Sequence, residues 1–104
     1  MVKKKKMPET MYRSSRYFRV LGNPTAYMIL KNLEHGRKTP SELSAVMGKA
    51  LSTISTTLRH LRQVDLVRYK TIVKNKEYWI KDTYVLELLK SGEKLAEKMR
   101  GKKE

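Results

Sequence analysis

The sequence predicts a mainly α-helical domain with one small β-hairpin. Apolar residues recur every three or four positions over most of the chain, and glycine- or proline-containing turns interrupt them. A single stretch rich in β-branched and aromatic residues begins at Leu66. The 104 residues leave room for one domain. No apolar run is long enough to span a bilayer, and none follows the basic first residues. We therefore expect no membrane span, no secretory signal and a cytoplasmic location.

Four helices are expected before the hairpin. Residues 1–8 contain four consecutive lysines and are predicted to be a disordered arm, ahead of a single domain over residues 9–100. The first helix is predicted over 9–21. Asn23 is a good N-cap and Pro24 a good first residue for the second helix, which we expect to stop by Gly36.

The third and fourth helices have the clearest signals. Thr39, Pro40 and Glu42 form a capping-box pattern, and Gly48 ends the third helix after about two turns. Over residues 51–64, apolar side chains at spacings of three or four fall on one side of a longer helix. A short helix, a glycine turn and a longer helix match the spacing of a helix-turn-helix motif.

The other side of the fourth helix carries hydroxyl, amide, imidazole and guanidinium groups and no carboxylate. Such groups pair with bases and phosphates in a DNA major groove. An ordinary solvated face is the alternative, although such faces usually carry glutamate beside the basic residues. The DNA contacts predicted from this region are Lys49, Ser52, Thr53, Ser55, Thr56, Arg59, His60, Arg62 and Gln63.

The hairpin is predicted to have a basic tip. We expect one strand over 66–73, a turn over 74–76 and a returning strand over 77–80. Lysines at such a tip can bind phosphates or approach the minor groove. The alternative is that they serve solubility or protect an edge strand. The contacts predicted here are Lys70, Lys74, Asn75 and Lys76.

A last helix should begin near Asp82 or Thr83 and carry an apolar seam. Gly92 lies in this seam, where it either breaks the helix or lets a partner helix approach closely. Together with the first helix, the seam exceeds what a small domain can cover, which predicts a two-fold homodimer. Residues 101–104 should fray. The predicted interface residues are Met11, Tyr12, Phe18, Val85, Leu88, Leu89, Gly92, Leu95, Ala96 and Met99.

Charge is unevenly distributed along the chain. The net charge is +14, with an isoelectric point near 10.2. Residues 1–21 hold seven basic and one acidic residue, and residues 35–76 hold nine basic and two acidic. Residues 77–104 are nearly balanced, with seven basic and six acidic. Solubility alone gives no reason for this asymmetry, so we predict a polyanionic partner.

Four short motifs resemble those of ArsR-like winged helix-turn-helix repressors. Residues 21–25 (LGNPT) are similar to the L-[GS]-[ND]-P-T opening of their second helix, and residues 41–48 to their E-L-A-x-x-L-G segment. Residues 52–61 resemble their S-T-V-S-R-H-L-K-x-L recognition helix, and residues 66–68 the L-V-R entry into the wing. The resemblance implies a dimeric regulator of transcription that binds double-stranded DNA, most simply as a repressor. It also implies DNA contacts by Ser52, Thr53 and Ser55.

Departures from these motifs leave alternatives open. Thr56 and Thr57 stand where the family often has Arg-His, Leu51 stands where a polar residue is common, and Ala50 is a poor cap. A weak or unusual base preference is therefore expected. A low-specificity architectural or nucleoid protein remains an alternative, as does a winged-helix adaptor that binds other proteins.

Metal and catalytic chemistry are not expected. The family's metal sensors use cysteine pairs on the third helix or Asp and His on the last. This chain has no cysteine, and its only histidines are His35 and His60. It also lacks a plausible nucleophile–base pair and a phosphate-binding glycine loop. We therefore predict no metal, no cofactor and no enzymatic activity.

Overall fold

A computed structural model describes residues 6–101. Most of the predicted basic arm (residues 1–5) and residues 102–104 of the predicted tail lie outside the described residues. The elements are α1 (Glu9–Leu21), α2 (Pro24–Leu33), α3 (Pro40–Met47), α4 (Leu51–Gln63), β1 (Val67–Ile72), β2 (Asn75–Ile80) and α5 (Tyr84–Gly101). This order confirms the mainly α-helical fold class with one hairpin. None of the helices described is long and apolar enough to cross a membrane.

Local hydrogen bonds begin and end the central helices. The Asn23 side chain accepts a bond of 3.0 Å from the Ala26 backbone N–H at the start of α2. At α3, Thr39 and Glu42 each accept a bond from the other's backbone N–H, at 3.2 and 2.8 Å, which confirms the capping box. Gly48 ends α3 with φ of 64°, a left-handed conformation that favours glycine. No side-chain cap opens α4.

The core lies around α2, which contacts all four other helices and also β2 of the hairpin. α3 and α4 pack on α2 and on each other, and the hairpin closes the core beside them. Of α5, only the first two turns contribute buried side chains. The core residues are Leu21, Ala26, Ile29, Leu30, Leu33, Leu43, Ile54, Leu58, Leu61, Val67, Tyr78, Val85 and Leu89.

The hairpin differs from the expectation in its turn. β1 and β2 pair antiparallel out to Ile72 and Asn75, so only Val73 and Lys74 form the loop. The prediction of a turn over 74–76 is therefore wrong, because Asn75 and Lys76 belong to β2. Val73 has φ of 55°, which is rare for a β-branched residue, and its side chain is 89% exposed.

A two-bond bridge ties the hairpin to the segment that precedes α3. The Lys38 backbone N–H donates to the Tyr78 carbonyl oxygen at 3.1 Å, and the Tyr78 N–H donates to that of Lys38 at 2.9 Å. This bridge fixes the hairpin relative to the helix-turn-helix. Sequence periodicity did not indicate it.

Helix α5 runs through Gly92 without interruption. Of the two alternatives for Gly92, a break in the helix is therefore wrong, and the helix continues to Gly101. Asp82 accepts a bond of 2.9 Å from the Tyr84 N–H where the helix begins. Every residue from Ser91 to Gly101 is exposed, so the second half of α5 projects from the core.

Candidate nucleic-acid interface

The orientation of α4 is set by its apolar side. Ile54, Leu58 and Leu61 are fully buried against the core. The opposite side therefore faces solvent, and we call it and the preceding lysine the α4 polar face. All its members are exposed: Lys49, Ser52, Thr53, Ser55, Thr56, Arg59, His60, Arg62 and Gln63. The structure places these side chains together on one surface, and their contacts with DNA remain a prediction.

Thr57 lies outside this face. Its side chain is only 8% exposed, and its hydroxyl donates to the Thr53 carbonyl oxygen at 2.8 Å. The departure from the Arg-His pair of ArsR-like proteins therefore changes one exposed position, Thr56, rather than two.

The hairpin brings further cations beside α4. Lys70, Lys74, Asn75 and Lys76 are all exposed. Tyr69 joins the two elements, because the Arg62 guanidinium carbon lies 5.2 Å and the Lys76 Nζ 4.8 Å from the centre of its ring. The sequence analysis did not single out Tyr69, whose role depends on elements that meet only in the fold.

A second cation–aromatic pair lies at the base of the hairpin. The Arg37 guanidinium carbon is 4.2 Å from the centre of the Trp79 ring. Trp79 is half-buried, so its ring packs on the protein rather than standing free to stack on bases. Arg37 is exposed and adds a positive charge that no sequence motif marked.

One carboxylate lies just beyond the end of α4. Asp65 forms an ion pair with Lys81 and lies 3.7 Å from the Arg68 Nε. The hydrogen bond from Lys81, followed by the charges of Lys81 and Arg68, lowers the pKa of this carboxyl group. Its negative charge is thus offset by two neighbouring cations.

The residues predicted for a dimer interface divide into two groups. Val85 and Leu89 are 3% exposed within the protomer, so placing their side chains in an interface was wrong. They already pack in the core, and Leu88 is half-buried beside them. The exposed members are Met11, Tyr12, Phe18, Gly92, Leu95, Ala96 and Met99.

A mostly apolar groove of about 380 Å³ lies between α1 and the start of α5. Phe18 and Leu88 line it together with Tyr84, which is exposed and was not predicted as an interface residue. Apolar side chains of α1 and of the start of α5 therefore meet in this groove.

The histidines lie apart from each other and from other potential metal ligands. His35 follows α2 and His60 lies on α4, and both are exposed. Among residues 6–101, no three His, Cys, Asp or Glu side chains are grouped so that they could hold a metal ion.

Known proteins share this fold. Residues 21–70 match a family model described as a helix-turn-helix domain. HlyU from Vibrio cholerae superposes with a TM-score of 0.76 at 21% identity, covering 86% of this chain and 97% of HlyU. A search of curated proteins finds no match.

Two further solved structures extend the likeness. Mb0332 from Mycobacterium bovis, described as a homodimeric winged helix-turn-helix DNA-binding domain and a possible ArsR-family regulator, has a TM-score of 0.78 at 21% identity. The match covers 95% of this chain and 93% of Mb0332. The transcriptional repressor BigR from Xylella fastidiosa has a TM-score of 0.73 at 20% identity, with coverages of 80% and 85%.

The chain is a winged helix-turn-helix protein. In this fold α3 and α4 form the helix-turn-helix and the β1–β2 hairpin forms the wing. The winged helix-turn-helix fold that the four ArsR-like sequence motifs imply is confirmed, and it is shared with Mb0332, which is described as a possible ArsR-family regulator.

Proposed function

We propose that this protein is a transcriptional regulator, most simply a repressor, that binds double-stranded DNA as a homodimer. α4 enters the major groove, and the wing lies on the backbone or in the minor groove. The single observation that carries the proposal is the exposed α4 polar face, which has no carboxylate and lies beside a lysine-bearing wing. The role is one of binding, without catalysis.

Affinity would come first from phosphates. Each lysine or arginine that neutralises a phosphate releases condensed counterions, so affinity falls as salt rises. With about five such contacts per protomer, the slope of log K against log salt would be about −9 for the dimer. Sequence preference would come from Arg59 and Gln63, whose side chains can pair with guanine and adenine. Because Thr56 replaces a larger polar residue, that preference rests on few side chains.

The dimer is supported by the uncovered apolar surface of α1 and α5. The radius of gyration is 16.6 Å, against about 13 Å expected for a compact domain of this length. The excess reflects helices that extend away from the core. Mb0332, which has the same fold, is described as homodimeric. A two-fold pairing would place two α4 helices about one DNA turn apart.

The test is to select genomic fragments with the protein and then measure binding of a selected duplex and a random duplex by fluorescence anisotropy. Arg59→Ala should cost roughly 1–3 kcal/mol on the selected duplex and little on the random one. Lys74→Ala should weaken both alike and make the salt slope shallower by about 0.9 per protomer.

Other outcomes would point elsewhere. If both substitutions leave binding unchanged, the docking face is wrong. Uniform recovery of genomic fragments would favour an architectural protein. Thr56, which stands where ArsR-like proteins often have arginine, would help to explain the weak base preference. No affinity for DNA at moderate salt would favour a protein-binding adaptor.

A further inference from the structure

Helix α1 has a cationic side that no sequence motif marks. Arg13, Arg16 and Arg19 are exposed and follow one another at intervals of three residues. Neighbours in this series are about 60° apart around the helix and about 4.5 Å apart along it, so they form one row. Met11 and Phe18 lie on the far side of α1 from Arg16, and only Arg13 of the row also lines the apolar groove that contains Phe18. Among residues 6–101, none of the three arginines forms an ion pair.

This arginine row lies next to α4. Arg13 and Arg16 line a groove of about 120 Å³ with Gln63, at the end of α4. Arg19 lines a second groove, of about 220 Å³, with Thr57 and His60 of α4. Asp65 also lines the first groove, but its carboxylate is paired with Lys81 and Arg68. The row is therefore contiguous with the α4 polar face.

The arginine row and the wing lie on opposite flanks of α4. Arg62 reaches the wing, where it lies over Tyr69. His60 comes two residues earlier, about 200° away around the helix, and shares a groove with Arg19. A helix seated in a major groove about 12 Å wide is bordered by one phosphate strand on each side. The wing can contact only one of these two phosphate strands.

We propose that Arg16 and Arg19 bind the phosphates of the DNA strand on the side of α4 away from the wing. The proposal rests on the proposed function, because it requires α4 in the major groove. Guanidinium groups suit it, since they bind phosphate oxygens in a bidentate manner. α4 would thus lie between two sets of phosphate contacts, one made by the wing and one made by α1.

The lysines of α5 provide a matched comparison. Lys90, Lys94 and Lys98 also form an exposed cationic row, but Glu87, Glu93 and Glu97 lie among them. The local charge there is close to zero, and Lys90 and Lys94 lie roughly 100–180° around α5 from Leu95 and Met99. It represents a solvated face that is not expected to contact DNA.

The test compares Arg16→Gln/Arg19→Gln with Lys90→Gln/Lys94→Gln. Each pair removes two positive charges per protomer, so the two variants have the same net charge. With the selected duplex, the arginine variant should lower the steepness of log K against log salt by about 1.8 per protomer, and the lysine variant by close to zero. Arg16→Lys/Arg19→Lys should restore most of the slope. Circular dichroism would verify that each variant is folded.

Hydroxyl-radical footprinting on each strand locates the contact. The arginine variant should lose protection on the strand away from the wing and keep protection beside the wing. If the wild type binds duplex DNA and the two glutamine variants have equal slopes and footprints, this proposal is overturned and the proposed function stands. If the wild type does not bind duplex DNA, both are overturned.

Discussion

Helices α4 and α5 carry similar apolar stripes but use them differently. Ile54, Leu58 and Leu61 of α4 have no exposed surface, whereas Leu95 and Met99 of α5 are 59% and 65% exposed. Both stripes follow the same helical spacing. Periodicity thus identifies the apolar side of a helix but does not show what packs on that side. The rest of the protomer packs on the apolar side of α4. On the second half of α5, either another molecule packs or the apolar side stays in water.

Matched truncations would produce the largest contrast between the two helices. Leu58→Ala should destabilise the protomer by about 2–5 kcal/mol, because it leaves a cavity in a packed core. Leu95→Ala should change the stability of the dilute protomer by less than about 0.5 kcal/mol, since its side chain is already in water. Urea unfolding at low protein concentration measures both.

Self-association should respond in the opposite sense. Leu95→Ala is expected to weaken the dimer in sedimentation velocity, because it removes apolar surface that a partner would bury. A loss of protomer stability equal to that of Leu58→Ala would instead mean that α5 folds back on its own core.

Gly92 allows a finer test of what covers α5. A Cβ atom at this position meets nothing within 4 Å in the protomer. Gly92→Ala and Gly92→Leu should therefore each stabilise the helix of the dilute protomer by up to about 1 kcal/mol, by removing glycine from a helix interior. Only the leucine should weaken the dimer, as its bulk would separate closely packed helices. Sedimentation and thermal unfolding at two concentrations distinguish these effects. Equal dimer affinities would show that no partner approaches closely at Gly92.

Elements controlled by neighbouring residues were predictable from the sequence. The cap at Asn23 and the capping box of Thr39 and Glu42 need only bonds between residues three apart. The exposed side of α4 also followed from spacing alone. The turn at Val73 did not, because the left-handed conformation there is not one that a valine predicts.

Contacts between distant segments were not predictable. Val85 and Leu89 were expected at an interface, because their spacing matches the seam of α5, yet they pack into the core. The position of Arg19 beside His60 joins residues 41 apart in sequence, so the charge counts located an excess in residues 1–21 without showing that it lies beside α4. A single sequence identified the candidate recognition surface and the cations of the wing, but not the arginines of α1 on the other flank.

The contact between α2 and α5 lies where the first half of α5, which packs on the core, meets the exposed second half. The Tyr27 hydroxyl donates to Glu93 Oε2 at 2.5 Å and lies 3.1 Å from the Leu89 carbonyl oxygen, and Lys31 Nζ lies 3.3 Å from the same Glu93 oxygen. Burial, together with the hydrogen bond to Glu93 and its negative charge, raises the pKa of Tyr27 to about 12. The bonds from Tyr27 and Lys31 lower the pKa of Glu93.

Tyr27→Phe should have the most local effect, about 0.5–1.5 kcal/mol, since it removes one hydrogen bond. The contribution of Tyr27 should be complete below pH 10, its unfolded pKa, and vanish as pH rises from there towards 12. The contribution of Glu93 should be present above its ordinary pKa and vanish as pH falls below it.

Hydrogen exchange of the α5 amides beyond Glu93 measures the effect of Tyr27→Phe. Because those residues touch little else in the protomer, their exchange should accelerate in Tyr27→Phe while that of α4 stays constant. Equal acceleration in both helices would show that α5 unfolds together with the core.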